Sequence, residues 1–206
     1  MKAKIDERIK EEYEAKIIGK FKIYLGNKLY AKGKNKWTRY FVSSLVQIVA
    51  NPGIWGRYEN CTTHLISYNY TARAGNDTTT PTSPDMTDLV SKIDIAPDTQ
   101  NIVLFKEADY TKYQSRHKFS WGAGTIPAQI IGEFGVYLYL SDDSWTSPNE
   151  TFPVANNTSC PYINPAVRLG ARISSGDGDF DPIDYDSSEA LIFEWYVTIK
   201  FWEGWW

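Results

Sequence analysis

Few of the chain's reactive side chains stand in patterns that could do chemistry. Its 206 residues include 2 histidines, His64 and His117, and no G-x-S-x-G elbow that would present a nucleophilic serine. His117 lies in Ser115-Arg116-His117-Lys118, which reads as a polar turn with a solvated imidazole. Paired carboxylates for glycoside hydrolysis meet in space rather than in sequence, and 25 acidic residues make coincidental pairs expected. The acidic run Asp177-Gly178-Asp179-Phe180-Asp181 places alternate carboxylates as an EF-hand loop begins. Pro182 then stands where that loop needs glycine, and Ser188 where it needs glutamate. What remains is a weaker metal expectation at Asp177, Asp179 and Asp181, set against a solvated connection between strands. The expectation is of no enzyme and no cofactor.

Two cysteines, Cys61 and Cys160, would close a loop of about 100 residues if bonded, contributing about 4–5 kcal/mol in the chain-entropy account. Two free buried thiols are the alternative. Asn-X-Thr/Ser triplets at Asn60, Asn69, Asn76, Asn149, Asn156 and Asn157 cluster near both cysteines. Together they predict a glycosylated, externally displayed surface. Aromatic rings that stack on sugars would be Trp121, Tyr137, Tyr139 and Trp145, with Tyr137 and Tyr139 on the outward side of one strand. The competing expectation is that a sheet, helix or subunit covers them.

The elements that must hold these residues are mostly strands. Leu191, Phe193, Trp195, Val197, Ile199 and Phe201 alternate with Ile192, Glu194, Tyr196, Thr198 and Lys200, which predicts a long strand with one face in a core. Ile17, Gly19, Phe21, Ile23 and Leu25 alternate likewise before a Gly26-Asn27 turn and a return from Lys28. Trp37–Ala50 carries Trp37, Phe41, Leu45, Ile48 and Val49 at helical spacing and stops at Asn51-Pro52-Gly53, predicting a core-covering helix. Residues 54–70 hold a strand or two around Cys61, and 71–88 read as a loop too polar to pack. Further strands are expected at 101–106, 118–121, 127–140 and 166–174. In the third of these Ile130, Phe134, Val136, Leu138 and Leu140 would share a face, and in the fourth Val167, Leu169, Ala171 and Ile173. Residues 141–164 and 176–188 are loops. The expected fold is all-β: a single antiparallel, jelly-roll-like β-sandwich over residues 26–206, preceded by an arm over 1–25.

In that arm Ile5, Ile9, Tyr13 and Ile17 recur every fourth residue among charges, a narrow helical stripe suited to docking on a neighbour. The tail supplies Trp202, Trp205 and Trp206, an apolar patch expected either at a subunit contact or folded back on its own sheets. A net charge of −3 speaks against nucleic-acid binding. No stretch approaches the roughly 20 apolar residues of a membrane span, and the charged start lacks the apolar core of a secretory signal.

The order of several short segments resembles structural proteins of phage tail fibres and of archaeal virus filaments. The segments are GKNKWTRYFVSSLVQIVA, AGNDTTTPTSPDMTDLV, FSWGAGTIPAQIIGEFGVYLY, LGARISS and LIFEWYVTIKF, spread over about residues 22–202. Gly132-Glu133-Phe134-Gly135-Val136 departs from the Glu-Ile-Gly-Leu of that group, leaving the partner of Glu133 open. The resemblance implies a virion subunit that self-assembles into an extracellular fibre or filament for host attachment. On this reading the arm is donor or clamp in strand addition, with Ile17, Phe21, Ile23 and Leu25 filling a neighbour's pockets. The partners would be further copies in a head-to-tail homopolymer and a host-surface receptor or glycan. The alternative is a monomeric carbohydrate-binding or adhesin domain.

Overall fold

The computed structural model of the chain describes residues 16–39, 41, 71–106, 112–140 and 166–200. Strands Lys16–Leu25 (β1), Lys28–Lys34 (β2) and Lys36–Trp37 (β3) open it, followed by Thr71–Gly75 (β4), Thr99–Lys106 (β5) and Lys112–Trp121 (β6). Gln129–Ile131 (β7), Glu133–Leu140 (β8), Ala166–Ser174 (β9), Ile183–Tyr185 (β10) and Leu191–Lys200 (β11) complete it. The protein is all-β and every described pairing is antiparallel.

The period-two pattern of β11 makes it the centre of a five-stranded sheet in the order β2-β1-β11-β6-β5. It pairs along its whole length with β1 on one side and β6 on the other, Phe193 lying between Ile23 and Phe119. A second sheet runs β3-β9-β8-β4, and β10 pairs with β7 in a small third one. One cluster of buried side chains is drawn from both larger sheets. Phe21, Phe119, Trp121, Phe193 and Trp195 come from the first, and Ala72, Ala74, Phe134, Val136, Ala171 and Ile173 from the second. Phe134 stacks on Phe193 with ring centroids 5.0 Å apart. Each such ring withdrawn from water contributes about 1.5–3 kcal/mol, so these contacts dominate what joins the sheets. The chain passes between the sheets at Asn35, whose side-chain oxygen accepts a hydrogen bond from Trp195 Nε1 at 3.3 Å. That bond satisfies an indole N–H in the middle of the core.

Several expectations are corrected. Residues 16–25 are not part of an arm: β1 lies inside its own sheet, and Phe21 and Ile23, expected in a neighbour's pockets, are buried in the home core. Leu25 packs against the same core, while Ile17 at the far end of β1 is 39% exposed. Trp37, expected to start a helix, is in β3 and stacks on Phe41 with centroids 3.9 Å apart. The rest of that helix, apart from residues 38, 39 and 41, lies outside the described residues. The polar stretch 71–88 begins as β4, where Ala72 and Ala74 are fully buried, and it packs. Gly132 interrupts the expected strand 127–140, so Ile131 is buried and Ile130 faces out. An irregularity in the β8–β9 register at Val136/Tyr137 turns Leu169 away from Ala171 and into a second cluster with Leu89 and Tyr137. The acidic loop sends Phe180, Ile183 and Tyr185 into the core. Among the described residues no helix is long and apolar enough to cross a membrane.

Candidate functional site

The densest polar constellation lies on the face of the second sheet turned away from the shared core. β8 carries Glu133 and β9 carries Arg172, and both side chains are buried. Arg172 Nε and Nη2 donate to Glu133 Oε2 at 2.9 and 2.7 Å. Its remaining donors reach the Thr80 carbonyl at 2.9 Å, Thr82 Oγ1 at 3.2 Å and Asp77 Oδ2 at 3.2 Å. Glu133 also accepts the backbone N–H groups of Ser91 at 2.8 Å and Val90 at 3.3 Å. A buried guanidinium is stable only when its donors are taken, and here they are taken by a carboxylate pair and the incoming loop. The network therefore fastens residues 77–91 across β8 and β9.

Nearby carboxylates complete the fastening. Asp177 accepts from Thr82 N at 3.0 Å, Thr82 Oγ1 at 2.5 Å and Lys36 Nζ. Burial pushes its carboxyl up, and the Lys36 and Thr82 bonds outweigh that and hold it below the usual range. Asp77 is held low in the same way, burial being outweighed by bonds from Thr80 and Thr79. Asp179 accepts the Ser174 N–H at 3.0 Å, yet burial raises its pKa, with the charge of Asp177 adding to the rise. Asp88 takes the Tyr137 hydroxyl and Lys92 Nζ, the latter at 2.9 Å. Gly132 allows the closest approach, because a Cβ there would strike the Asp77 carbonyl oxygen. With both Glu133 and Arg172 shut from solvent and each bonded within the protein, this arrangement suits holding a loop rather than moving a proton.

The expected site residues fare unequally. Asp177 and Asp179 are engaged by the donors just named, Asp181 is exposed, and the described residues contain no group of acids, histidines or cysteines arranged to hold a metal. Trp121 is wholly buried, with Nε1 donating to the Ile95 carbonyl at 3.0 Å, and Tyr137 is buried under Leu89, so neither offers a face to a sugar. His117 is not in a polar turn; it sits in the middle of β6, 3% exposed, with its ring 5.0 Å from that of Trp195. Burial lowers its pKa from 6.5 to about 4. Asn76 is exposed just after β4, as a glycan acceptor must be. Ile5, Ile9, Tyr13, Asn60, Cys61, His64, Asn69, Trp145, Asn149, Asn156, Asn157, Cys160, Trp202, Trp205 and Trp206 lie outside the described residues, as does the side chain of Tyr139.

The strand expected at 101–106 is β5, and what sequence reasoning missed is that it forms one rim of the first sheet. β5 pairs with β6 along one side, and among the described residues no strand pairs with its other side. Its centre, Ile102-Val103-Leu104-Phe105, carries no charge, with Leu104 78%, Phe105 45% and Ile102 42% exposed. Rim strands are ordinarily blunted by lysine, proline or a bulge, and none interrupts this run. The uncharged four-residue stretch was the available signal.

No protein-family model, curated protein or solved structure matches the chain.

Proposed function

We propose that this protein is a structural subunit that polymerises head to tail by strand addition, its β5 rim accepting a segment of the next copy. The observation that carries the reading is that rim: eight residues of extended backbone, apolar at the centre and unpaired on one side among the described residues. An added strand would satisfy its outward N–H and C=O groups and cover Leu104 and Phe105. The donor is assigned to the residues before β1, since β1 itself is committed to its own sheet. The shared core of the two larger sheets supports an antiparallel, jelly-roll-like sandwich as the repeating unit. The resemblance in segment order supports placing the polymer in an extracellular viral fibre or filament that serves attachment to a host.

The test is sedimentation and negative-stain microscopy of the full chain beside Leu104→Lys and a chain starting at Lys16. The full chain forms filaments, while both variants remain folded monomers by circular dichroism. Filaments from the Leu104→Lys chain would remove β5 as acceptor, and filaments from the shortened chain would remove the leading segment as donor.

A further inference from the structure

The outer face of the five-stranded sheet holds an arrangement that folding alone does not favour. In the β1–β2 pairing Lys20 stands directly opposite Lys34, and Lys22 directly opposite Lys32. Like charges in directly opposed positions destabilise a sheet. The same two rows continue across β11 and β6, through Tyr196 to Arg116 and through Glu194 to Lys118. These two rows alone place six cations and one carboxylate on a single face of a chain whose net charge is −3.

That carboxylate is drawn into local bonds. Glu194 accepts the Tyr196 hydroxyl at 2.5 Å and the Tyr24 hydroxyl at 3.4 Å. Among the described residues none of Lys20, Lys22, Lys32 and Lys34 lies within ion-pair distance of a carboxylate. The four lysines instead surround a surface cavity of about 540 Å³, floored by Phe21 and Gly33 and bounded by Gln114 and Tyr196. Neighbouring strands lie about 5 Å apart and alternate residues about 7 Å apart along a strand, so the ammonium groups spring from the corners of a small rectangle.

We propose that this cavity is a binding site for a compact oligoanion, a short run of linked phosphate or sulfate groups. Four ammonium groups at that spacing match several charges on one small ligand, and the ligand relieves the repulsion within each opposed pair. A neutral sugar is poorly served, because the Tyr196 hydroxyl donates to Glu194 and Gln114 Nε2 donates to Thr198 at 2.8 Å. A stacked single-stranded nucleic acid would want rings free between the cations, whereas Tyr196 is half-buried with Lys22 Nζ 5.3 Å from its ring centre.

The test is calorimetric titration of the full chain with inorganic triphosphate and, in a second arm, with a fully sulfated disaccharide, at low salt. Binding of either supports the site, and the tighter of the two names the source of the anion. Lys20→Gln/Lys34→Gln weakens binding about tenfold, two lost surface ion pairs being that large in sum, whereas Lys28→Gln at the strand end leaves it within about twofold. Without ligand, the same double variant unfolds at a higher temperature than the wild type, a readout that a merely misfolded variant would not give. Three results overturn the proposal: no heat with either probe, equal weakening by Lys28→Gln, or tighter binding of oligodeoxynucleotides with affinity growing with their length.

Discussion

Arg172 and Glu133 meet across neighbouring strands with Nη2 2.7 Å from Oε2, and neither side chain is exposed to solvent. Around this pair the protein gathers a loop that by composition should have stayed in water. The carboxylate faces two loop N–H groups while the guanidinium faces a loop carbonyl and two side-chain oxygens. Each partner thus solves the other's desolvation, and removing one strands the other.

Replacing Arg172 by Met should therefore cost about 3–5 kcal/mol, because the buried Glu133 loses the cation that offsets its desolvation. Arg172→Met/Glu133→Leu should lose less than that single change. Urea denaturation of the four members of this cycle measures it. If the double variant is as unstable as the sum of the singles, the pair is not the unit described.

Tyr137→Phe removes one hydroxyl, which donates to Asp88 and accepts the Leu89 N–H at 3.2 Å. The expected loss is about 1–2 kcal/mol, with faster amide exchange over residues 86–92 than in β11. Uniform acceleration across both regions would mean that Tyr137 supports the whole fold and not this loop.

Acid stability should depend on His117. Its folded pKa, about 4, lies below the unfolded value of 6.5, so the unfolded chain takes up the proton first. The contribution is whole above about pH 6.5 and is lost as pH falls toward about 4, amounting to about 3 kcal/mol at the end of that window. His117→Gln should remove this part of the slope when urea midpoints are compared across the range. An unchanged difference between the two proteins from pH 7 to pH 4 would contradict the assignment.

Gly132→Ala should destabilise the protein by about 1–3 kcal/mol, since the added methyl meets the Asp77 carbonyl and sits 2.8 Å from Thr78 Cγ2. Gly124→Ala offers a comparison: there a Cβ meets nothing within 4 Å and the cost is the positive φ of 81° alone. Thermal unfolding of the two variants distinguishes a steric cost from a conformational one. An effect at Gly132 no larger than at Gly124 would mean that the loop does not press on it.

What the sequence made legible follows from one-sided burial. β1 hides Phe21 and Ile23 and exposes Lys20, and β11 alternates core residues with a second face that keeps polar types even where Glu194 and Thr198 are buried, so their alternation survives inspection. β4 was hidden because the core opposite Phe134 and Val136 takes small side chains, and Ala72 and Ala74 give a weak apolar signal. His117 was misread from its polar neighbours, although stepping back by twos from Trp121 through Phe119 reaches it. The fastening of the loop left no local trace, because Arg172 meets Asp77 across a separation of 95 residues and Glu133 across 39. Leu169 falls on the other face from Ala171 because one irregular register step lies between them and breaks the alternation.

The proposal that copies join at the β5 rim is tested most directly by amide hydrogen exchange over residues 99–106, followed as protein concentration rises. The account predicts that protection of the outward N–H groups of β5 appears together with the polymer and is absent in Leu104→Lys. A polymer whose β5 amides exchange as fast as those of the dispersed chain would contradict it.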